Sequence, residues 1–204
     1  MGKFPFTNGA YQQYAFGGFV TKFNTNGQLI YSTGFHGYKI YPNNVIAGSD
    51  GYEYPNDIAV DQEGNAYITG RSNAHLLQMP GAGNGYDVTF NGGWSDAFVA
   101  KFNPSGSELL FATLLGGSND TGIHEAGIGI KLDHEGNVYV VGVTNSLGFP
   151  ITADAIDNTA VGSSEVFISV LDNSGANLLY STFLGGASSD SGGGIYVDED
   201  KNIY

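Results

Sequence analysis

The chain of 204 residues contains no cysteine, which excludes disulfide bonds, thiolate zinc sites and cysteine nucleophiles. Basic residues are few: seven Lys and Arg stand against 20 Asp and Glu, for a formal net charge of −13. Such a charge opposes binding to nucleic acid or to an anionic lipid surface. The sequence also lacks any run approaching the roughly 18 apolar residues of a membrane helix, and its first residues lack the basic-then-apolar pattern of a signal peptide. We therefore predict no nucleic-acid partner and no membrane insertion.

Glycine and apolar side chains are abundant. The chain has 32 Gly, and hydrophobic residues make up 41% of it, with aromatic residues at 13%. This apolar content is enough to form a core that offsets the entropy lost when the chain folds. The composition predicts a folded protein that is rich in turns.

One pattern of short apolar runs occurs three times. Its first run lies at Phe19–Asn24, Phe98–Asn103 and Phe167–Asp172, at offsets of 79 and 69 residues. A turn that contains Gly then leads into a second run, at Leu29–Thr33, Leu109–Thr113 and Leu178–Thr182. Runs of this length separated by such turns predict β-hairpins.

A second hairpin follows each first one. Its two strands lie at Ile58–Asp61 and Ala66–Gly70, at Ile130–Asp133 and Val138–Gly142, and at Ile195–Asp198 and Ile203–Tyr204. Two hairpins per repeat, without an amphipathic helical pattern longer than a turn, predict an all-β fold. Both faces of the Phe98 strand are apolar or small, as Phe98 and Val99 show. Four-stranded sheets that are buried on both faces and repeated in tandem are typical of β-propeller blades.

The sequences of these repeats are similar to those of a known family. Ala97–Gly106, Leu114–Gly117, Asp133–Ser146 and Phe149-Pro150 resemble SBBP, the bacterial β-propeller repeat family named for seven blades. The resemblance implies a secreted or cell-surface bacterial protein, often a large modular one with adhesion-like domains, and it supplies no catalytic residues. The first repeat departs from the family pattern, because Asn73–Gly93 lacks the Phe-Pro element and Gly37–Asn56 is enlarged.

The order of the hairpins predicts how the blades divide the chain. In related propellers the Ile58 type of strand lies nearest the axis, so the chain reads as strands 3-4, 1-2-3-4, 1-2-3-4 and 1-2. We predict one propeller segment over residues 1–204, with repeats at about 14–73, 94–146 and 165–204. This amounts to about three blades, with the first and last split. Because unpaired strand edges are unfavourable, we expect further polypeptide or other copies of the chain to complete the ring. Three apolar pairs are predicted blade core: Phe19 and Phe23, Phe98 and Phe102, and Phe167 and Leu171.

Acidic residues recur in the long connections between strands 4 and 1. Asp50, Asp120 and Asp190 lie 70 residues apart, each among Gly and Ser. Carboxylates on adaptable loops near the axis are suitable ligands for Ca²⁺. Asp beside Gly is also ordinary turn chemistry, so both interpretations remain open.

Aromatic residues accompany amides in the long connection between strands 2 and 3 of the first repeat. These residues are Tyr86, Phe90 and Trp94, with Asn84 and Asn91. Exposed rings beside amides can stack on a ligand and form paired hydrogen bonds with it. The alternative is that the loop folds into a small satellite core over the blade edge.

No catalytic residue can be assigned from the sequence. The adjacent His124 and Glu125 are a poor proton-transfer pair, and the serines lack a Gly-x-Ser-x-Gly elbow. We predict a non-catalytic extracellular scaffold or interaction module that presents its long loops to a protein or glycan partner. Two alternatives stay open. One is a propeller-based hydrolase or lyase with a central cation held near Asp50, Asp120, Asp190 and His124. The other is a self-assembling subunit of an oligomer or filament.

Overall fold

The computed structural model describes residues 4–14, 17–37, 39–41, 45–47, 51–76, 79, 81–117 and 124–204. Regular structure among these residues is β, apart from one turn of 3₁₀ helix at Ala82–Asn84. The strands are β1 (Gly18–Phe23), β2 (Leu29–Phe35), β3 (Lys39–Tyr41), β4 (Val45–Ala47), β5 (Glu53–Val60), β6 (Ala66–Ser72), β7 (Asp96–Phe102), β8 (Leu109–Leu115), β9 (Ala126–Leu132), β10 (Val138–Thr144), β11 (Glu165–Leu171) and β12 (Leu178–Leu184). In this described part, no helix has the length and apolar character needed to cross a membrane.

The sheets follow the chain order that the repeats predicted. Strands β5-β6-β7-β8 form one four-stranded antiparallel sheet, blade B, and β9-β10-β11-β12 form a second, blade C. The pair β1-β2 is blade A, which corresponds to strands 3 and 4 of a blade. Residues 195–204 form hairpin D, in which Tyr196 and Tyr204 exchange backbone hydrogen bonds of 2.9 and 3.0 Å. A short separate ladder joins β3 to β4.

Tight turns close the hairpins at equivalent places. Gly27, Gly106 and Gly175 turn the strand 3-4 hairpins with φ of 75°, 66° and 71°, a backbone conformation that glycine adopts without steric cost. Gly64 and Gly136 do the same in the strand 1-2 hairpins of blades B and C. In hairpin D the same position is occupied by Lys201, which takes φ of 66°.

The blades stack face to face, and each complete sheet is apolar on both sides. In β7, Phe98, Ala100 and Phe102 are buried against blade A, whereas Ala97 and Val99 are buried toward blade C. A third cluster joins the far face of blade C to hairpin D, where Val141 and Val166 meet Ile195. The period of two along a strand places successive side chains on opposite faces. The prediction of propeller-like blades with two dry faces is confirmed.

The prediction that Phe19 and Phe23 are blade core is wrong for the described chain. These side chains are 51% and 60% exposed, whereas the equivalent Phe98 and Phe167 are fully buried. The reason is directional. All of these rings point toward the preceding blade, whereas the described part of the chain places the N-terminal segment on the Phe19 side, with the Phe4 ring 4.5 Å away.

The connections between strands 2 and 3 do not simply project from the end of the sheet opposite the tight turns. Each one runs back along the outer strand of its own blade, where Thr7, Asp87 and Thr152 bond to the backbone of β2, β8 and β12. Tyr11 and Tyr86 then donate backbone hydrogen bonds to the strand 3-4 turn of the next blade, at Gly106 and Gly175. These connections therefore cover the outer strand edges.

Candidate functional site: an aromatic cleft on blade B

An aromatic cleft of about 300 Å³ opens at the end of blade B away from the tight turns. Its lining residues are Tyr52, Asn73, Phe90, Gly93 and Trp94. Tyr52 precedes β5, Asn73 follows β6 and Trp94 lies just before β7. Three chain segments therefore meet there because antiparallel strands bring these strand ends to one edge.

Hydrogen bonds fix the walls of the cleft. The Tyr52 hydroxyl donates to the Trp94 carbonyl over 2.8 Å. The Tyr52 N–H donates to Asn73 Oδ1 over 2.8 Å, and the Asn73 N–H donates to the Tyr52 carbonyl over 3.2 Å. Burial raises the pKa of the Tyr52 phenol, an effect that Arg71 partly offsets, so the hydroxyl keeps its proton at neutral pH. The cleft is thus organised by contacts within the protein itself.

The indole of Trp94 is the most accessible ring of the cleft. It is 59% exposed, and the His124 ring packs on it in a T-shaped arrangement with ring centroids 4.8 Å apart. Phe90 is less accessible than Trp94, because part of its side chain packs on the core between blades A and B. Trp94 therefore offers a stacking surface that is supported from one side.

Of the five residues named for this loop, the structure brings two together in the cleft, Trp94 and Phe90, whereas Asn84 ends the 3₁₀ turn and does not line the cleft. Tyr86 is 42% exposed but lies away from the cleft, near the turn of blade C. The Asn91 amide donates to Asp87 Oδ2 over 2.7 Å, so that amide is engaged within its own loop. No sequence motif indicated Tyr52, although it falls in the Gly37–Asn56 segment that is enlarged relative to the family pattern.

Of the three predicted metal ligands, only Asp190 lies within the described residues, and Asp50 and Asp120 lie outside them. Asp190 Oδ2 accepts a hydrogen bond of 2.8 Å from the Gly186 N–H, and its own N–H donates to the Ser164 carbonyl over 2.9 Å. Across the part of the chain that the structure describes, no three His, Cys, Asp or Glu side chains are grouped so that they could hold a metal ion.

Two buried carboxyl groups, Asp96 and Glu125, lie beneath the cleft, where blade B meets blade C. Both are 0% exposed. Burial raises the pKa of Asp96 to about 8; the Asn91 N–H lowers it, and the nearby carboxylates of Glu125 and Asp87 add to the rise. Burial likewise raises the pKa of Glu125 to about 7, against the hydrogen bonds that it accepts from Gly117 and Thr144. Whereas Glu125 points inward, the preceding His124 packs on the exposed indole of Trp94.

A larger cavity of about 600 Å³ lies on the opposite, tight-turn end between blades B and C. Its acidic lining includes Asp61 and Asp133, whose carboxylates are already used to hold their turns. Asp61 accepts hydrogen bonds from the Asn65 amide over 2.7 Å and from the Tyr67 hydroxyl over 3.2 Å. The cavity was not foreseen from the sequence, because its walls come from two hairpins in successive blades.

A family model described as SBBP, a beta-propeller repeat, matches residues 46–76. The match contains β5 and β6, the first hairpin of blade B, and two residues of the aromatic cleft, Tyr52 and Asn73. A comparison with curated proteins gave no match. Together with the stacked four-stranded sheets, the match identifies residues 46–76 as a β-propeller repeat of the SBBP family, as the sequence resemblance predicted.

Proposed function

We propose that this propeller segment is a non-catalytic interaction module of a bacterial cell-surface or extracellular matrix protein. The aromatic cleft is the observation that carries the proposal. It combines an exposed indole with a supporting ring from His124, and its volume of about 300 Å³ is at the small end of the range of ligand pockets. The extracellular setting rests on the resemblance to the SBBP family.

The chemistry of the cleft favours a neutral ligand that has both an apolar face and hydroxyl or amide groups. An indole stacks on the apolar face of such a ligand, and polar groups at the rim orient it. The net charge of −13 disfavours an anionic ligand. A glycan meets these requirements, and so does the exposed polar and aromatic surface of a protein partner.

A binding screen with single substitutions tests the proposal. Trp94 is the only tryptophan of the chain, so its fluorescence reports directly on the cleft. We expect a glycan array or a panel of surface proteins to yield a ligand that changes this emission, and Trp94→Ala to weaken its binding at least about 10-fold. Tyr86→Ala is the matched control, since Tyr86 is an exposed aromatic residue of the same connection outside the cleft. Binding that survives Trp94→Ala would overturn the assignment of the cleft.

A further inference from the structure

Each junction between successive blades has an acidic residue at the same place, and this residue is fully buried at the first two junctions. Glu53, Glu125 and Asp190 lie at or just before strand 1 of the following blade. Each accepts a hydrogen bond from a glycine N–H that follows strand 4 of the preceding blade. The donors are Gly37 at 3.0 Å, Gly117 at 3.2 Å and Gly186 at 2.8 Å. These carboxylates therefore tie one blade to the next.

The side chain that faces this acid differs between the first two junctions. The strand registers align Gly18 with Ala97 and Phe35 with Leu115, so Gly17 corresponds to Asp96 and His36 corresponds to Gly116. At the junction of blades A and B, the His36 ring fills the site, with its Nδ1 atom 3.2 Å from Glu53 Oε2.

At the junction of blades B and C, the imidazole is replaced by a carboxyl group. Gly116 leaves the space open, and the side chain of Asp96 occupies it so closely that a Cβ on Gly116 would clash with the Asp96 carboxyl. A basic ring opposite the junction acid has thus been exchanged for a second acid.

This exchange leaves two buried oxygens without a partner. Asp96 Oδ1 and Glu125 Oε2 accept no hydrogen bond from any described residue, although both side chains are 0% exposed. Buried carboxylates normally have a compensating donor or cation, because an uncompensated buried charge is strongly unfavourable. Glu125 Oε2 corresponds to the Glu53 oxygen that faces His36.

We propose that Asp96 and Glu125 bind a Ca²⁺ ion between blades B and C, where the cation takes the place that the His36 ring has in the preceding junction. The ligand atoms are hard carboxylate oxygens, which bind Ca²⁺ in preference to softer metal ions. Ca²⁺ also accepts backbone carbonyls and water in irregular geometries, so two side chains are sufficient as its protein anchors. The ion would tie the two blades together directly beneath the aromatic cleft, and its presence does not depend on what the cleft binds.

Titration of the EDTA-treated chain with CaCl₂ at pH 7.5 tests the proposal. We expect one ion per chain by calorimetry and a rise in Tm of several degrees at saturation. Trp94 lies two residues from Asp96, so Tb³⁺ substituted for Ca²⁺ should give luminescence sensitised by that indole, and excess Ca²⁺ should quench it. The paired change Asp96→Asn with Glu125→Gln should weaken binding at least about 100-fold. The matched control is Asp154→Asn, an exposed loop carboxylate, which should leave binding unchanged.

A variant that copies the residues of the junction of blades A and B into the junction of blades B and C distinguishes a cation site from an acidic junction that binds no cation. Asp96→Gly with Gly116→His recreates the arrangement of Gly17 and His36, and the variant should have a Tm independent of Ca²⁺. Two results would overturn the proposal. One is that the unaltered chain shows neither heat nor a shift in Tm with Ca²⁺. The other is that the Asp96→Asn, Glu125→Gln chain, folded by circular dichroism, binds Ca²⁺ as the unaltered chain does.

Discussion

At the scale of single residues, some acidic side chains hold tight turns and others lie buried at the junctions between blades. In the strand 1-2 turns, carboxylates are surrounded by donors. Asp133 accepts hydrogen bonds from the N–H groups of Glu135 and Asn137, both at 2.9 Å, and from the Asn137 amide at 2.8 Å. Burial by itself would raise the pKa of Asp133, but these hydrogen bonds and the Lys201 ammonium outweigh it and hold the pKa below its ordinary value of 3.8.

Substitution of Asp133 by Asn should make this effect visible in the pH dependence of stability. Because the folded pKa is lowered, the carboxylate stabilises the fold above pH 3.8, and this contribution disappears as the pH falls through the folded pKa. After allowance for solvent screening, we expect Asp133→Asn to lower the free energy of unfolding by about 1 kcal/mol at neutral pH. Urea unfolding at a series of pH values measures the difference, which should close in strong acid. A gap that stays constant down to acid pH would contradict this account.

The chemistry of the turns was readable from the sequence, whereas that of the blade junctions was not. Asp followed by Gly and Asn predicts a local turn because all the partners lie within a few residues. Asp96 and Glu125 come close because the segment before β9 pairs with the segment before β7, where the Glu125 N–H donates to the Ser95 carbonyl over 2.8 Å. Nothing in their local sequence marks either one as buried.

At the scale of the elements, the repeat of hairpins decides which faces become dry. Phe19, Phe98 and Phe167 are equivalent, with the same alternation in each strand. Two of them are fully buried and Phe19 is half exposed. Their sequence pattern is the same, so the difference comes from the neighbouring sheet.

A pair of truncations should measure what that neighbour contributes. We expect Phe98→Ala to lower the free energy of unfolding by roughly 3–5 kcal/mol, because it leaves a cavity between blades A and B. At a concentration low enough to keep the chain monomeric, Phe19→Ala should cost about 1 kcal/mol, as expected for a partly exposed site. Denaturant unfolding of both variants provides the comparison. A large loss at Phe19 as well would show that its face is covered in solution.

At the scale of the whole molecule, the described segment ends in two complementary apolar surfaces. One is the outer face of blade A, with Phe19 and Phe23 exposed, and the other is hairpin D, with Tyr196 and Tyr204 exposed at 61% and 72%. Hairpin D has the character of strands 1 and 2, and blade A has that of strands 3 and 4. In blades B and C, strand 2 pairs directly with strand 3.

We expect the isolated 204-residue chain to associate through these surfaces, because open edges and apolar faces favour pairing. Light scattering should then give a mass above the 21.5 kDa of one chain. In blade B, Lys101 Nζ lies 3.7 Å from Asp61 Oδ2 and 4.7 Å from the centre of the Tyr67 ring. Lys22, the equivalent of Lys101, would meet Asp198 and Tyr204 of a second copy in the same way.

A charge exchange between Lys22 and Asp198 tests whether two copies pair in this way. Lys22→Glu should lower the scattering mass, and the addition of Asp198→Lys should restore it. Lys131→Glu, on strand 1 of blade C, is the control and should leave the mass unchanged. A chain that stays monomeric at high concentration would show that these surfaces do not recognise each other.

The sequence by itself determined the strands, the turns and the order of the blades, because hairpins are encoded by local alternation and by Gly, Asn and Asp at tight turns. The SBBP resemblance could be recognised from the same segments. Only the tertiary structure decided that Phe19 is exposed while Phe98 is buried, that Tyr52 and Trp94 line one cleft, and that Asp96 lies with Glu125. Each of these depends on how one sheet or strand end lies against another, and the physical cause is packing between segments that are distant in the chain.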